Sequence, residues 1–194
     1  MKNLIEKKIK SEDIFNGILL NVKKDMVELP NGKETVREYI VHPGAVVLVA
    51  FLPNGNIILE KQFRYPVGKI FNELPAGKID AGEKLEDTAK REMAEETGYY
   101  PNSLEYVGKL YPGIGYSDEV IYIYIADDLE KRNISCDDDE FIEIFDVPLQ
   151  TAYQMVIDGE IVDAKSMIGI MMVREKLVRN QTTNNTKKTQ RMQI

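Results

Sequence analysis

The chain of 194 residues has one cysteine, Cys136, and one histidine, His42. A lone cysteine excludes an intramolecular disulfide and a cysteine metal cluster, and it fits a reducing compartment better than it fits a nucleophile. A lone histidine leaves no histidine pair or triad within one chain. Positive charge is in deficit as well: 25 Lys and Arg stand against 32 Asp and Glu, for a net charge of −7 and a pI near 4.9. That balance disfavours nonspecific binding to nucleic acid or to an anionic membrane. No segment approaches the ~18 consecutive apolar residues of a membrane span, and the N-terminal MKNLIEKKIKSEDIF has no continuous apolar stretch of the secretory kind. These absences give a cytoplasmic expectation, with neither nucleic acid nor membrane as partner. What is present, 43% hydrophobic and 29% charged residues, suffices for one domain with a real core, with or without a small extension.

Two copies of Leu-Pro-Asn-Gly, at 29–32 and 52–55, lie between β-rich runs, a strong hairpin signal. The first is expected to join strands near 14–28 and 34–42, the second to join 44–52 to 57–65. The run AVVLVAF at 45–51 lacks polar alternation and reads as a strand buried on both faces. Further strands are expected at 104–111, at 119–126 and at 141–146. Helices are expected over 85–97, over 149–158 after Pro148, and over 164–179 with Asp163 as N-cap. Met167, Ile168, Met171 and Met172 on the last helix read as core packing. From Asn180 onward the chain is polar without helical periodicity and reads as a disordered tail. Strands mixed with helices in this order give an α/β layer structure.

Residues 77–99, GKIDAGEKLEDTAKREMAEETGY, carry the chemistry. Glu92, Glu95 and Glu96 are spaced by three and four, so at about 100° per residue they share a helical face and repel unless a cation sits among them. Oxygen ligands of this kind suit Mg²⁺ or Mn²⁺ rather than zinc, and such ions commonly hold substrate phosphates as well. Leu85, Ala89 and Met93 repeat every four residues on the opposite side, which can bury. Gly98 stands where helices end.

Gly77, Glu83, Arg91, Glu92, Met93, Glu95, Glu96 and Gly98 occupy the fixed sites of the Nudix hydrolase signature, G-x5-E-x7-R-E-U-x-E-E-x-G-U with U apolar; Tyr99 stands at the last U, where an aliphatic is usual. The chain therefore resembles the Nudix family over about residues 43–179. The resemblance implies an α/β/α sandwich around a mixed sheet, with residues 1–42 as a β-rich extension and 180–194 as the tail. It also implies hydrolysis of a nucleoside diphosphate linked to another moiety. Glu92 and Glu96 would touch metal, with Glu95 a further or water-mediated ligand and the Ala76 carbonyl contributing; Glu83 and Arg91 would brace the loop through a salt bridge.

Arg37-Glu38, His42-Pro-Gly-Ala-Val, Gln62-Phe-Arg64, Glu73-Leu-Pro-Ala-Gly, the loop from Tyr111 to Glu119, and Asp138-Asp-Glu140-Phe-Ile-Glu are similar to the ADP-ribose pyrophosphatase branch. This implies cleavage of ADP-ribose to AMP and ribose 5-phosphate, in a homodimer whose N-terminal strands help complete the partner's site. On this reading Arg64 meets a phosphate, and Arg37 and Glu38 help hold the adenosine end. Phe15 offers the partner's adenine a platform, while His42 and Glu119 lie on the substrate side. Glu140 is the first choice of general base, with Asp138 as the alternative. Another Nudix substrate, such as a nucleotide sugar or dinucleoside polyphosphate, a noncatalytic ADP-ribose sensor, and a structural α/β protein with an acidic helix are the competing readings.

Overall fold

The computed structural model describes residues 4–132 and 141–191, with the backbone alone for 181 and 183–191. Two compact units emerge: residues 1–44 together with 111–120, and the remainder. The first is an antiparallel sheet in the order β1-β2-β3, formed by β1 (Lys7–Asn16), β2 (Asn21–Glu28) and β3 (Glu34–Val41). The Leu-Pro-Asn-Gly turn at 29–32 joins β2 to β3 as expected: Gly32 adopts φ of 80° and donates its N–H to the Leu29 carbonyl. The strand expected over 14–28 is instead broken after Asn16. There Asn16-Gly17 reverses the chain, and the Gly17 N–H reaches the Leu20 carbonyl at 2.8 Å.

The second unit is built on β4 (Ala45–Ala50), which is buried along its whole length. It pairs parallel with β9 (Ile121–Lys131) and antiparallel with β7 (Ala76–Lys78), and β8 (Tyr99–Leu110) flanks β9 to complete a mixed sheet in the order β7-β4-β9-β8. A second sheet has the order β10-β5-β6, from β10 (Ile142–Pro148), β5 (Asn56–Arg64) and β6 (Lys69–Glu73). The turn at 52–55 forms with the expected chemistry, Gly55 at φ of 84° and its N–H on the Leu52 carbonyl. It does not make a hairpin ladder, however. Beyond one bridge, Phe51 to Ile57, β4 and β5 leave for different sheets.

Alternation along β4 and β9 divides the core. Val46, Leu48, Ala50, Tyr124 and Ala126 pack with Ala89 and Met93 of α1 (Leu85–Thr97), while Val47, Val49, Ile123 and Ile125 face Ala152 and Val156 of α2 (Leu149–Ile157) and Ile170 and Val173 of α3 (Ala164–Arg191). Helices thus cover both faces of the mixed sheet, the α/β/α sandwich expected. Full burial of Met93 contributes about 1.5–3 kcal/mol of transfer free energy. On α3, Met167 and Met172 pack on the core, but Ile168 and Met171 are exposed, because Ile170 and Val173 occupy the inward stripe. The helix also runs on to Arg191 rather than ending at 179: residues 180–191 contain no glycine or proline to stop it. Among the described residues no helix is long and apolar enough to cross a membrane.

Candidate active site on the signature helix

Lys84 precedes α1 without a side-chain cap, and Glu86 and Asp87 in the first turn complement the helix dipole instead. The C-terminus closes on Gly98, whose φ of 70° lets its N–H reach the Ala94 carbonyl at 3.0 Å. Between these ends the helix presents a charge cluster to the loop that leads into it. Glu83 receives Arg91 through Nε at 3.0 Å and Nη2 at 2.9 Å, and takes the Thr88 hydroxyl at 2.8 Å. The brace expected between Glu83 and Arg91 therefore exists. Arg91 Nη1 then turns to Glu92 at 2.8 Å and Glu95 at 3.0 Å. A cation does sit among the carboxylates, and in this structure it is the guanidinium.

Arg91 holds the Glu83 carboxyl down to about 2, against an ordinary value of 4.5. The unfolded chain takes up this proton near pH 4.5, whereas the folded carboxylate refuses it until about pH 2. The pair's stabilisation is complete above pH 4.5 and drains away as the pH falls toward 2. Glu83→Gln is expected to lower the melting temperature at pH 7, with the deficit shrinking below pH 4.5 and converging on wild type as the pH approaches about 2. A deficit independent of pH would refute this account.

Two contacts join the helix to β7. Glu96, only 5% exposed, accepts the Ala76 N–H at 2.9 Å. Gly77 lies directly under Glu92, so that a Cβ there would fall inside the Glu92 carboxylate. The side of α1 away from the core is thus not simply solvated, since Glu96 is buried against backbone. Glu92 and Glu96 both lie against the backbone of 76–77, and carboxylate oxygens are ligands of the type that suits a hard divalent cation. Among the described residues, no three His, Cys, Asp or Glu side chains already form a metal cluster.

Arg64 points its Nε and Nη2 at Glu73, at 2.8 and 2.7 Å, and Lys165 bonds the same carboxylate. Burial pushes the Glu73 carboxyl up, but Arg64 and Lys165 outweigh it and leave the group below its ordinary value. A cleft of about 350 Å³ opens beside this network, lined by Arg64, Phe71, Glu73, Asp163 and Lys165. Arg64 is therefore fixed in a bidentate pair at the wall of a cleft, a partner the sequence pattern did not supply.

The remaining substrate-side candidates lie in the first unit. Arg37 is paired through Nε and Nη2 with Glu6, at 3.0 and 2.6 Å, and Glu38 beside it is exposed. Phe15 is 56% exposed. The His42 N–H donates to Asp118 at 2.8 Å, and Nδ1 accepts the Gly44 N–H at 3.1 Å. That second bond requires the lone pair on Nδ1, so Glu119 Oε1, 3.7 Å away, is a close neighbour of that nitrogen and not its salt-bridge partner. His42 and Glu119 share a cavity of about 200 Å³ with Leu20, Ile40 and Tyr116. Asp118, which sequence reasoning passed over, ties the loop to β3. Its only signal was its place inside the Tyr111–Glu119 motif. Glu140 and Asp138 lie outside the described residues.

A family model for the NUDIX domain matches residues 41–167. The chain is 42% identical over 180 residues to an ADP-ribose pyrophosphatase of Bacillus subtilis (strain 168), with 91% of this chain and 96% of that protein aligned. It is 37% identical over 171 residues to a methanol dehydrogenase activator of Bacillus methanolicus, covering 87% and 92%. A crystal structure of an ADP compounds hydrolase superposes with a TM-score of 0.83 at 25% identity, covering 93% of this chain and 98% of that one. With the signature residues gathered on α1 and its loop, and with the domain match across most of the sandwich, the chain belongs to the Nudix hydrolase family.

Proposed function

We propose that the protein is a metal-dependent pyrophosphohydrolase that cleaves ADP-ribose to AMP and ribose 5-phosphate. The observation that carries this reading is the junction of α1 with β7. There Glu92 fills the space above Gly77 while Glu96 grips the Ala76 N–H, so two carboxylates and the backbone of 76–77 come to one place. A divalent cation such as Mg²⁺ or Mn²⁺, if bound there, would supply charge to neutralise phosphate oxygens and to acidify a water for attack on phosphorus. Glu92, Glu96 and the Ala76 carbonyl would hold the ion, with Glu95 a further or water-mediated ligand. Glu83 and Arg91 keep those carboxylates oriented. Glu140 takes the proton of the attacking water, with Asp138 the alternative. Arg64, fixed by Glu73, contacts a phosphate; a guanidinium suits such oxygens because it can offer two parallel donors. Arg37, Glu38, His42 and Glu119 serve the nucleoside and ribose ends, and Phe15 serves the adenine of a partner subunit in a homodimer. The ADP-ribose pyrophosphatase and the ADP compounds hydrolase among the similar proteins support the substrate class.

A panel of ADP-ribose, GDP-mannose and diadenosine polyphosphates, incubated with Mg²⁺ and resolved by chromatography, tests the reading. ADP-ribose is expected to be turned over fastest, giving AMP and ribose 5-phosphate. Preference for another member would replace the substrate and keep the reaction; no turnover of any member would remove the enzymatic reading. Light scattering on the same preparation should return twice the 22.2 kDa of one chain, and a monomer mass would contradict the shared site.

A further inference from the structure

The link between β6 and β7 has an unusual hydrogen-bond account. Leu74 and Pro75 lie between the strands, and Pro75 has no N–H to give. The Leu74 N–H goes to the hydroxyl of Ser166, at 2.8 Å, in the first turn of α3. The Pro75 carbonyl accepts the Leu48 N–H at 2.9 Å, and the next donor, Ala76 N–H, goes to Glu96 on α1. Backbone donors on either side of Pro75 are thus held by single side chains from helices that cover opposite faces of the sheet.

Ser166 is itself fixed. It is fully buried, its hydroxyl donates to Asp163 at 2.6 Å, and its N–H donates to the same carboxylate oxygen at 3.0 Å. Lys165, between them in sequence, bonds both Asp163 and Glu73. Gly169, one turn on, lets the Leu74 side chain press against the helix, where an added Cβ would meet Leu74 Cδ1 at 2.9 Å. The Ser166 N–H to Asp163 bond is an ordinary N-cap, but the reach of the Ser166 hydroxyl to Leu74 and of Lys165 to Glu73 goes beyond what a cap requires. The last two converge on Glu73 and Leu74, which one residue, Pro75, separates from the Ala76-Gly77 segment.

We propose that Ser166, held by Asp163, is a positioning residue for the metal site: through the Leu74 N–H it sets the backbone of Ala76 and Gly77 on which the ion and Glu92 depend. The proposal rests on the reading of that site given above and extends it to a helix outside the signature. Groups that hydrogen-bond a metal ligand directly change metal affinity by about 10- to 100-fold when removed, and Ser166, acting two residues from Ala76, is expected at the low end of that range.

Calorimetric titration of the full chain with Mg²⁺, without substrate, provides the test. Ser166→Ala is expected to bind Mg²⁺ about tenfold more weakly than wild type and to need correspondingly more Mg²⁺ for half-maximal turnover, with the KM for ADP-ribose at saturating Mg²⁺ unchanged. Melting in EDTA, measured alongside, reads the purely structural contribution. Should Ser166→Ala show no folding transition, Ser166→Cys keeps the volume and weakens the acceptor, and its Mg²⁺ affinity should shift in the same direction. Wild-type Mg²⁺ affinity in a folded variant, with only the melting temperature lowered, would overturn the proposal and leave the active site standing. Absence of Mg²⁺ binding by the wild type would overturn both.

Discussion

Glu96→Gln is expected to fold normally and to lose about three orders of magnitude in kcat for ADP-ribose with Mg²⁺. The substitution separates two tasks of one side chain. Its structural task is to accept the Ala76 N–H at 2.9 Å, which the amide oxygen of glutamine performs in the same volume. Its proposed chemical task is to hold a divalent cation, and there a neutral amide replaces a full negative charge. Loss of about 4 kcal/mol of charge stabilisation corresponds to a factor of about 10³ in rate. The measurement is initial rate against Mg²⁺ concentration, with circular dichroism and a melting curve as controls. A variant with wild-type rates would remove Glu96 from the chemistry and with it the reading of α1 as the metal-bearing helix. Glu95→Gln makes a useful contrast. That carboxylate is more exposed and is engaged by Arg91 Nη1 at 3.0 Å, so a smaller loss is expected there.

The elements that sequence periodicity foretold are those whose burial is decided locally. The apolar repeat Leu85, Ala89, Met93 and the terminal Gly98 defined α1 to the residue at both ends, and the unbroken apolar run at 45–51 became the fully buried β4. Asp163 was legible as an N-cap for the same reason, and it does accept the Ser166 N–H. Failures occurred where the answer lies far along the chain. The turn at 52–55 has correct hairpin chemistry, yet nothing local says that β4 finds β9 some seventy residues later while β5 finds β10. Strand β7 is too short to show alternation, and β6, Lys-Ile-Phe-Asn-Glu, has none to read. The candidate site divides in the same way. The Glu83–Arg91 brace, which joins the loop ahead of α1 to the helix, was implied by the family resemblance, whereas the partners of Arg37 and Arg64, Glu6 and Glu73, are set by strand pairing and tertiary packing. Arg64 shows the consequence most clearly, since the residue type announced an anion but could not say that a buried carboxylate of the protein already engages it.

Gly77→Ala is expected to leave the melting temperature close to wild type while reducing Mg²⁺ affinity and kcat by about 100-fold or more. Gly77 is not required for its backbone, because it is absent from the residues with positive φ, and alanine fits its conformation. Space is the constraint: the new methyl would occupy the position of the Glu92 carboxylate. Glu92 is a flexible side chain, so the clash is relieved by swinging the carboxylate aside, away from its contact with Arg91 Nη1 at 2.8 Å. The pair is part-buried, with 14% of the Glu92 side chain exposed, so releasing the carboxylate toward solvent costs on the order of 1 kcal/mol, about 2–4 °C of melting temperature for a chain of this size. On the proposed mechanism the same movement is severe, because misplacing a catalytic group by about 1 Å can cost about 100-fold. Thermal melts in EDTA, Mg²⁺ titration and steady-state rates on one preparation decide the matter. A large fall in melting temperature with normal Mg²⁺ affinity in the folded fraction would mean that Gly77 serves packing alone. Intact stability with lost affinity would mean that the glycine of the signature exists to make room for a carboxylate.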